Sequence, residues 1–285
     1  MGTKKSRGMA YSHNNQKKIA VINDFTGFGR CSLTVFLPIV SALKVQCCAI
    51  PTALLSAHTA YDEFYLRDCT ADLPPYIANW KHLGLQFSGI ATGYFGSPAQ
   101  FAIAKDFIAD FRSDNTLVLV DPVMADDGVL YEGFTEKTCE RMRSLVPDAD
   151  LLTPNVTEAC LLTGTPYHEG SWRRRELEVL TEQLAELGAK NIVITGIPAG
   201  TYVANACREK GGDLQIFRTL RSGQPRSGTG DVFSAILIAD AVNGRTLPDS
   251  VQHAARFIQK CMIKSEEMKI PPEDGVCFEE LLDIL

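Results

Sequence analysis

The stretch from Val232 to Ala239, Val-Phe-Ser-Ala-Ile-Leu-Ile-Ala, carries apolar groups on nearly every side of a helical wheel. A helix of that kind offers no face to water and has to be buried. Whatever the chain folds into must therefore enclose this helix between other layers. The helix begins at Arg226-Ser-Gly-Thr-Gly-Asp231. Because it starts inside the molecule, the unpaired N–H groups of its first turn need partners. Gly228 and Gly230 let the backbone approach a ligand closely, and the helix dipole adds partial positive charge, so the place suits an anion. Asp231 is out of character there. Its carboxylate repels an anion unless it takes a proton from a group attacking that anion. The plainer reading makes Asp231 a helix cap. Residue types alone leave both readings standing.

The remaining segments are short apolar runs alternating with helical patterns. Strands are predicted at Ile19–Ile22, Val45–Ile50, Phe87–Ala91, Leu117–Val120, Leu151–Leu152 and Asn191–Thr195, with a hairpin at Thr201–Cys207 and Leu214–Leu220. Helices are predicted at Cys31–Leu43, Pro75–Leu83, from Pro98, Glu136–Leu145, Val156–Leu162, Arg173–Leu187 and Pro248–Met268, with a short one at the C-terminus. Pro51 to Thr59 is expected to form a loop. Continuous apolar strands between helices imply an α/β fold, a mainly parallel central sheet covered on both faces. No repeat or linker divides residues 19–285, which are expected to form a single domain. Residues 1–18 are polar and basic without an apolar core, and are expected to be a disordered tail rather than a secretory signal.

Composition sets a few exclusions. The net charge of −6 argues against a general nucleic-acid binder. No run approaches the roughly 20 apolar residues needed to span a membrane. None of the nine cysteines forms a C-x-x-C pair, which speaks for reduced, buried thiols in a cytoplasmic protein.

Ligands of open α/β sheets bind beyond the carboxyl ends of the strands. Asp24, Tyr94, Asp121, Asn155 and Glu158 follow predicted strands, and Thr195 closes one. Singly, each is explained by a turn or a cap. Together they point to one edge of the sheet and to phosphoryl transfer. Asp121 and Glu158 are hard oxygen donors for Mg²⁺, the Gly228-Thr229-Gly230 amides would hold charge developing on a phosphate, and Asp231 would deprotonate an attacking hydroxyl. There is no Gly-x-x-x-x-Gly-Lys-[Ser/Thr] motif, and Gly27-Phe28-Gly29 lacks the third glycine of a dinucleotide fingerprint. His58 and Tyr94 are candidates for substrate contact, whereas His82, His168, His253 and the run Arg173–Arg175 read as surface.

Gly228-Thr229-Gly230-Asp231 resembles the anion-hole and base signature of the ribokinase superfamily. Thr92-Gly-Tyr94-Phe-Gly-Ser97, Asp121-Pro-Val-Met124, Tyr131 and Thr153-Pro-Asn155-Val-Thr-Glu158 resemble pyridoxal/pyridoxamine kinases. Asn23-Asp24-Phe-Thr-Gly-Phe-Gly-Arg-Cys-Ser-Leu-Thr34 and Pro51-Thr-Ala-Leu-Leu-Ser-Ala-His-Thr59 resemble a bacterial pyridoxamine kinase branch. The resemblance implies a three-layer αβα ribokinase-like fold and ATP-dependent phosphorylation of the 5′-hydroxymethyl group of a B6 vitamer, with Mg²⁺, in a homodimer. A need for a monovalent cation stays open. It implies Asp231 as base; Asp24, Ser56, His58, Thr59 and Tyr94 around the ring; and Asp121, Thr153, Asn155, Glu158 and Thr195 near ATP, with Asp121 and Glu158 beside the metal. Two departures stand out: Asp24 where many pyridoxal kinases have serine, and Gly196 near a lysine that some members aim at nucleotide phosphate. A hydroxymethylpyrimidine kinase of the same superfamily, or a catalytically silent small-molecule-binding module, are the alternatives.

Overall fold

The computed structural model describes residues 12–285. Nine strands form one twisted sheet: β1 (Lys18–Thr26), β2 (Gln46–Leu55), β3 (Leu66–Asp68), β4 (Gly89–Thr92), β5 (Leu117–Val120), β8 (Leu151–Leu152), β9 (Asn191–Ala199), β10 (Tyr202–Arg208) and β11 (Gln215–Leu220). A separate hairpin pairs β6 (Ala125–Asp126) with β7 (Val129–Leu130). The sheet order is β11-β10-β9-β8-β5-β4-β1-β2-β3. All pairs from β9 across to β2 are parallel, and only β3, β10 and β11 run antiparallel to their neighbours.

Among the described residues eight α-helices cover the two faces: α1 (Ser32–Ala42), α2 (Leu73–His82), α3 (Pro98–Phe111), α4 (Glu136–Arg143), α5 (Val156–Thr163), α6 (Arg174–Glu186), α7 (Thr229–Asn243) and α8 (Leu247–Glu267). Alternation along the strands sends side chains into two cores. Ile19, Val21 and Leu119 join residues of α1, α7 and α8, while Ala20, Ile22, Val118 and Val120 join those of α2 through α6. Two cores on one sheet explain why the central strands read as unbroken apolar runs. The α7 helix is enclosed as its composition requires, with Val232 to Asp240 buried and left-handed Gly228 and Gly244 at its ends.

Several expected boundaries shift. Lys18 is buried and opens β1, and the Asn14 side chain bonds to the backbone of Gly84 and Gln86, so ordered chain begins inside the expected tail. Residues 1–11 lie outside the described residues. β2 runs on through Pro51 to Leu55, where a loop was expected. Pro51 is tolerated because β3 pairs only with Ala53–Leu55, leaving β2 a free edge at the proline that needs no N–H. β3, β6 and β7, of two or three residues each, are too short to announce themselves.

Chain order reverses at the centre of the sheet. From β1 the chain steps outward to β2, and β4 and β5 then lie on the opposite side of β1. The gap between the carboxyl ends of β1 and β4 is the switch point where ligands of such sheets bind.

Candidate active site

The N-terminus of α7 stands at this switch point. Gly228 has φ +80°, and a Cβ there would overlap the Arg30 carbonyl oxygen. Only glycine fits, because the loop lies flat against the segment leading into α1. A Cβ on Gly230 would meet nothing within 4 Å, so that glycine faces open space, as the floor of an anion cradle should. Two arginines brace the loop from behind. The buried Arg226 donates through Nη1 to the carbonyls of Ile270 (2.7 Å) and Pro271 (3.0 Å) and pairs with Glu266. Arg30 donates to the Asp274 carbonyl and pairs with Glu279, while the Val276 N–H donates to the Ser227 carbonyl at 3.1 Å.

Asp231 is the third residue of α7 and makes no capping bond to Gly228. It reaches across to β1, where Asn23 Nδ2 donates to its Oδ1 at 3.3 Å. Asn23 is spent entirely on the site, since its Oδ1 accepts from the N–H groups of Asp24 (3.0 Å) and Tyr94 (2.8 Å). Gly93 is glycine because a Cβ there would run into the Asn23 amide. Part of Asp231 remains open to solvent, as a group that meets a substrate requires. Burial of the carboxyl nevertheless pushes its pKa up to about 7; the Ser32 N–H and Asn23 partly offset this, and the charge of Asp24 adds to it. A carboxylate so placed can accept a proton near neutral pH.

Asp24 lies within β1 rather than after it, and both its oxygens are engaged. Ser32 Oγ donates to Oδ1 at 2.5 Å and Thr26 Oγ1 to Oδ2 at 2.7 Å. Burial raises its pKa, against the pull of these donors. Ser32 holds a left-handed φ of +55° at the start of α1, a conformation that a non-glycine residue keeps only when its surroundings impose it.

Asp121 follows β5, and its Oδ2 accepts from Ser234 Oγ at 2.7 Å. Glu158 lies on α5 and accepts from the N–H groups of Asn155 (2.9 Å) and Met124 (3.0 Å). Burial lifts Asp121 to about 8 and Glu158 well above the usual carboxylate range, each raised further by a neighbouring carboxylate. Among the described residues no Lys, Arg or His side chain forms an ion pair with Asp121, Glu158 or Asp231. Among the described residues no cluster of three or more metal-ligating side chains exists. Two buried carboxylates without a counter-charge fit a divalent cation whose remaining ligands are water and phosphate oxygens. Tyr131, just after the β6–β7 hairpin, shares their field: burial and then Glu158 raise its pKa.

The other expected site residues divide. Thr153 joins the acidic group through Ser234 (Oγ to Oγ, 3.1 Å). Asn155 caps α5, accepting from Glu158 N–H and donating to the Ala125 carbonyl. Thr195 lies inside β9, with its N–H on the Pro154 carbonyl. Gly196 beside it is left-handed with open space around it. Tyr94 is half-buried with its ring 5.7 Å from that of Phe134. His58 feels the charge of Asp24, though burial dominates and lowers its pKa. Ser56 is exposed and its hydroxyl accepts from the Tyr65 N–H, while Thr59 is exposed. The glycines at 27 and 29 make room for this 56–59 segment, since a Cβ on Gly29 would strike His58. His253, read as a surface residue, is partly buried and bonds to the buried Asp240. Asn23, Ser32 and Ser234 were not foreseen. A lone hydroxyl in the apolar run after Asp231 was the available signal for Ser234.

The model of the phosphomethylpyrimidine kinase family matches residues 41–274. A Bacteroides thetaiotaomicron protein assigned as a phosphomethylpyrimidine kinase, crystallised with pyridoxal, is 35% identical, with a TM-score of 0.90 over 94% of each chain. Pyridoxal kinase from Lactobacillus plantarum is 30% identical, with a TM-score of 0.87 over 94% of this chain and 96% of its own. The pyridoxine/pyridoxal/pyridoxamine kinase of Bordetella avium is 28% identical over 274 residues, 87% of this chain and 86% of its own. Hydroxymethylpyrimidine/phosphomethylpyrimidine kinase of Haemophilus influenzae is 30% identical over 178 residues, 61% of this chain and 64% of its own. With its mostly parallel, helix-flanked sheet of the ribokinase-like type, the chain belongs to the phosphomethylpyrimidine kinase family, in which pyridoxal kinases are among its relatives.

Proposed function

We propose that the chain transfers the γ-phosphoryl group of ATP to the 5′-hydroxymethyl group of a B6 vitamer, as a pyridoxamine/pyridoxal kinase of vitamin B6 salvage. The observation that carries this reading is the placement of Asp231. It stands one residue beyond the Gly228-Thr229-Gly230 cradle, reaches across to Asn23 on β1, and has a pKa near neutrality. A primary alcohol does not ionise at pH 7, so Asp231 takes its proton as the new oxygen–phosphorus bond forms. The amides at the head of α7 stabilise charge building on the phosphoryl oxygens. Asp121 and Glu158 would hold Mg²⁺, which neutralises phosphate charge when bound. Thr153, Asn155, Thr195 and the open space at Gly196 lie on the ATP side.

The ring is assigned to the gap between Asp24 and Tyr94, with the segment 56–59 closing over it. The likeness to the pyridoxal-bound Bacteroides protein supports a vitamer over a pyrimidine. The Haemophilus relative and the family's own description support hydroxymethylpyrimidine as the second reading. We further infer a cytoplasmic homodimer, as the resemblance implies; no helix among the described residues is long and apolar enough to cross a membrane.

ADP release measured with pyridoxal, pyridoxamine, pyridoxine and hydroxymethylpyrimidine tests the assignment. Turnover on at least one vitamer, with a kcat/KM above that for hydroxymethylpyrimidine, is expected. The reverse preference would move the chain to the pyrimidine reading, and no turnover on any of the four would remove the kinase assignment.

A further inference from the structure

Ser234 is the only hydroxyl between Val232 and Ala239, and it is 1% exposed. A buried helical serine ordinarily satisfies itself on the carbonyl one turn back. Ser234 instead crosses to the strand ends, donating to Asp121 Oδ2 at 2.7 Å with Thr153 Oγ1 3.1 Å away. A hydroxyl has one proton to give. With that proton committed to Asp121, Ser234 accepts from Thr153, and the chain of donors runs one way, from Thr153 through Ser234 to Asp121. Asp121 Oδ2 is thereby held, and the one hydrogen bond to this carboxylate among the described residues leaves Oδ1 unengaged.

We propose that Ser234 is a positioning residue that pins one oxygen of Asp121 so that the other is presented to the divalent cation. This rests on the kinase reading and adds a residue to it. Ser234 lies three residues after Asp231, on the same side of α7. One rigid helix thus carries the group that meets the substrate alcohol and the group that orients the carboxylate on the nucleotide side. The alternative is that the hydroxyl merely satisfies a buried carboxylate, in which case its loss lowers stability and nothing else.

The test compares wild type with Ser234→Ala in the full chain, using Mn²⁺ in the presence of ADP as the probe and water-proton relaxation as the readout. The Kd for Mn²⁺ is expected to rise about tenfold, the equivalent of one hydrogen bond to a charged group. The vitamer KM is expected to stay within about twofold, and excess metal to recover most of kcat. Thr153→Val, which keeps the Ser234–Asp121 bond, is expected to give a smaller rise. Should Ser234→Ala fail to fold, Ser234→Cys, similar in shape but a poor donor, takes its place with the same expectation. A lower melting temperature with wild-type Mn²⁺ affinity overturns the proposal. A wild-type chain that neither binds Mn²⁺ with ADP nor phosphorylates any vitamer overturns the kinase reading instead, and this proposal with it.

Discussion

Gly228 and the carbonyl of Arg30 are in such close contact that no side chain fits between them. The proposed phosphate cradle is therefore set by the segment leading into α1, and not by α7 alone. Gly228→Ala must push the loop away from Arg30 and also strain a φ of +80°. A displacement near 1 Å at a reacting centre costs on the order of 10²-fold in rate. Turnover is expected to fall by about that much with the circular-dichroism spectrum retained. A variant turning over like the wild type would show that the cradle tolerates movement.

Asp231→Asn keeps the size of the side chain but cannot take a proton. Turnover is expected to drop by roughly 10²–10⁴-fold, the usual range for losing a general base, with little change in melting temperature. The pH profile gives the second half of the test. Asp231 works only when ionised, and its pKa stands at about 7. The wild-type kcat is therefore expected to rise about tenfold per pH unit below 7 and to level off above it. For stability the sign is opposite. A carboxyl whose folded pKa is raised contributes most when protonated, and its contribution is lost as pH rises from about 4 through 7. A profile flat from pH 5 to 8 would mean another group, or none, takes the proton.

Glu158 accepts two backbone N–H groups, and a glutamine carbonyl oxygen can still accept a hydrogen bond at that position. Glu158→Gln is expected to fold and to need more Mg²⁺ for half-maximal turnover. An unchanged magnesium titration would place Glu158 outside the metal site.

With the ring placed as proposed, the Asp24 carboxyl would meet its nitrogen or an amine substituent. Asp24→Ser is expected to lose more kcat/KM on pyridoxamine than on pyridoxal, by on the order of 1–3 kcal/mol, the usual loss when a charge-assisted hydrogen bond is left unpaired. Equal losses on the two vitamers would confine Asp24 to holding Ser32 and Thr26.

The central layers were legible because burial on both faces leaves strands such as Leu117–Val120 no polar positions, and because Pro98 and Gly164 mark helix ends where the structure has them. What escaped was short or doubly employed. Leu66–Asp68 has three exposed residues and no pattern. Asn23 gave no signal because two of its three hydrogen bonds join Asp231 and Tyr94, residues that only the fold brings beside it. Asn155 and Glu158 were hard to read for the opposite reason: they form a genuine capping box on α5 while lying beside Asp121. Capping and site placement coexist in the same side chains, so residue type could not separate them.

The cradle is braced by segments far apart in sequence, from Arg30 to residues 270–279. Arg30 precedes α1, and the carbonyls of Ile270, Pro271 and Asp274 that hold Arg226 and Arg30 follow α8. A polypeptide still being synthesised, with Asp231 and Asp121 already in place, has no backing for its Gly-Thr-Gly loop. The loop is aligned in this arrangement only once residues 270–274 have folded behind it, and a chain cut before Ile270 would keep its chemical groups and lose the surface that aligns them.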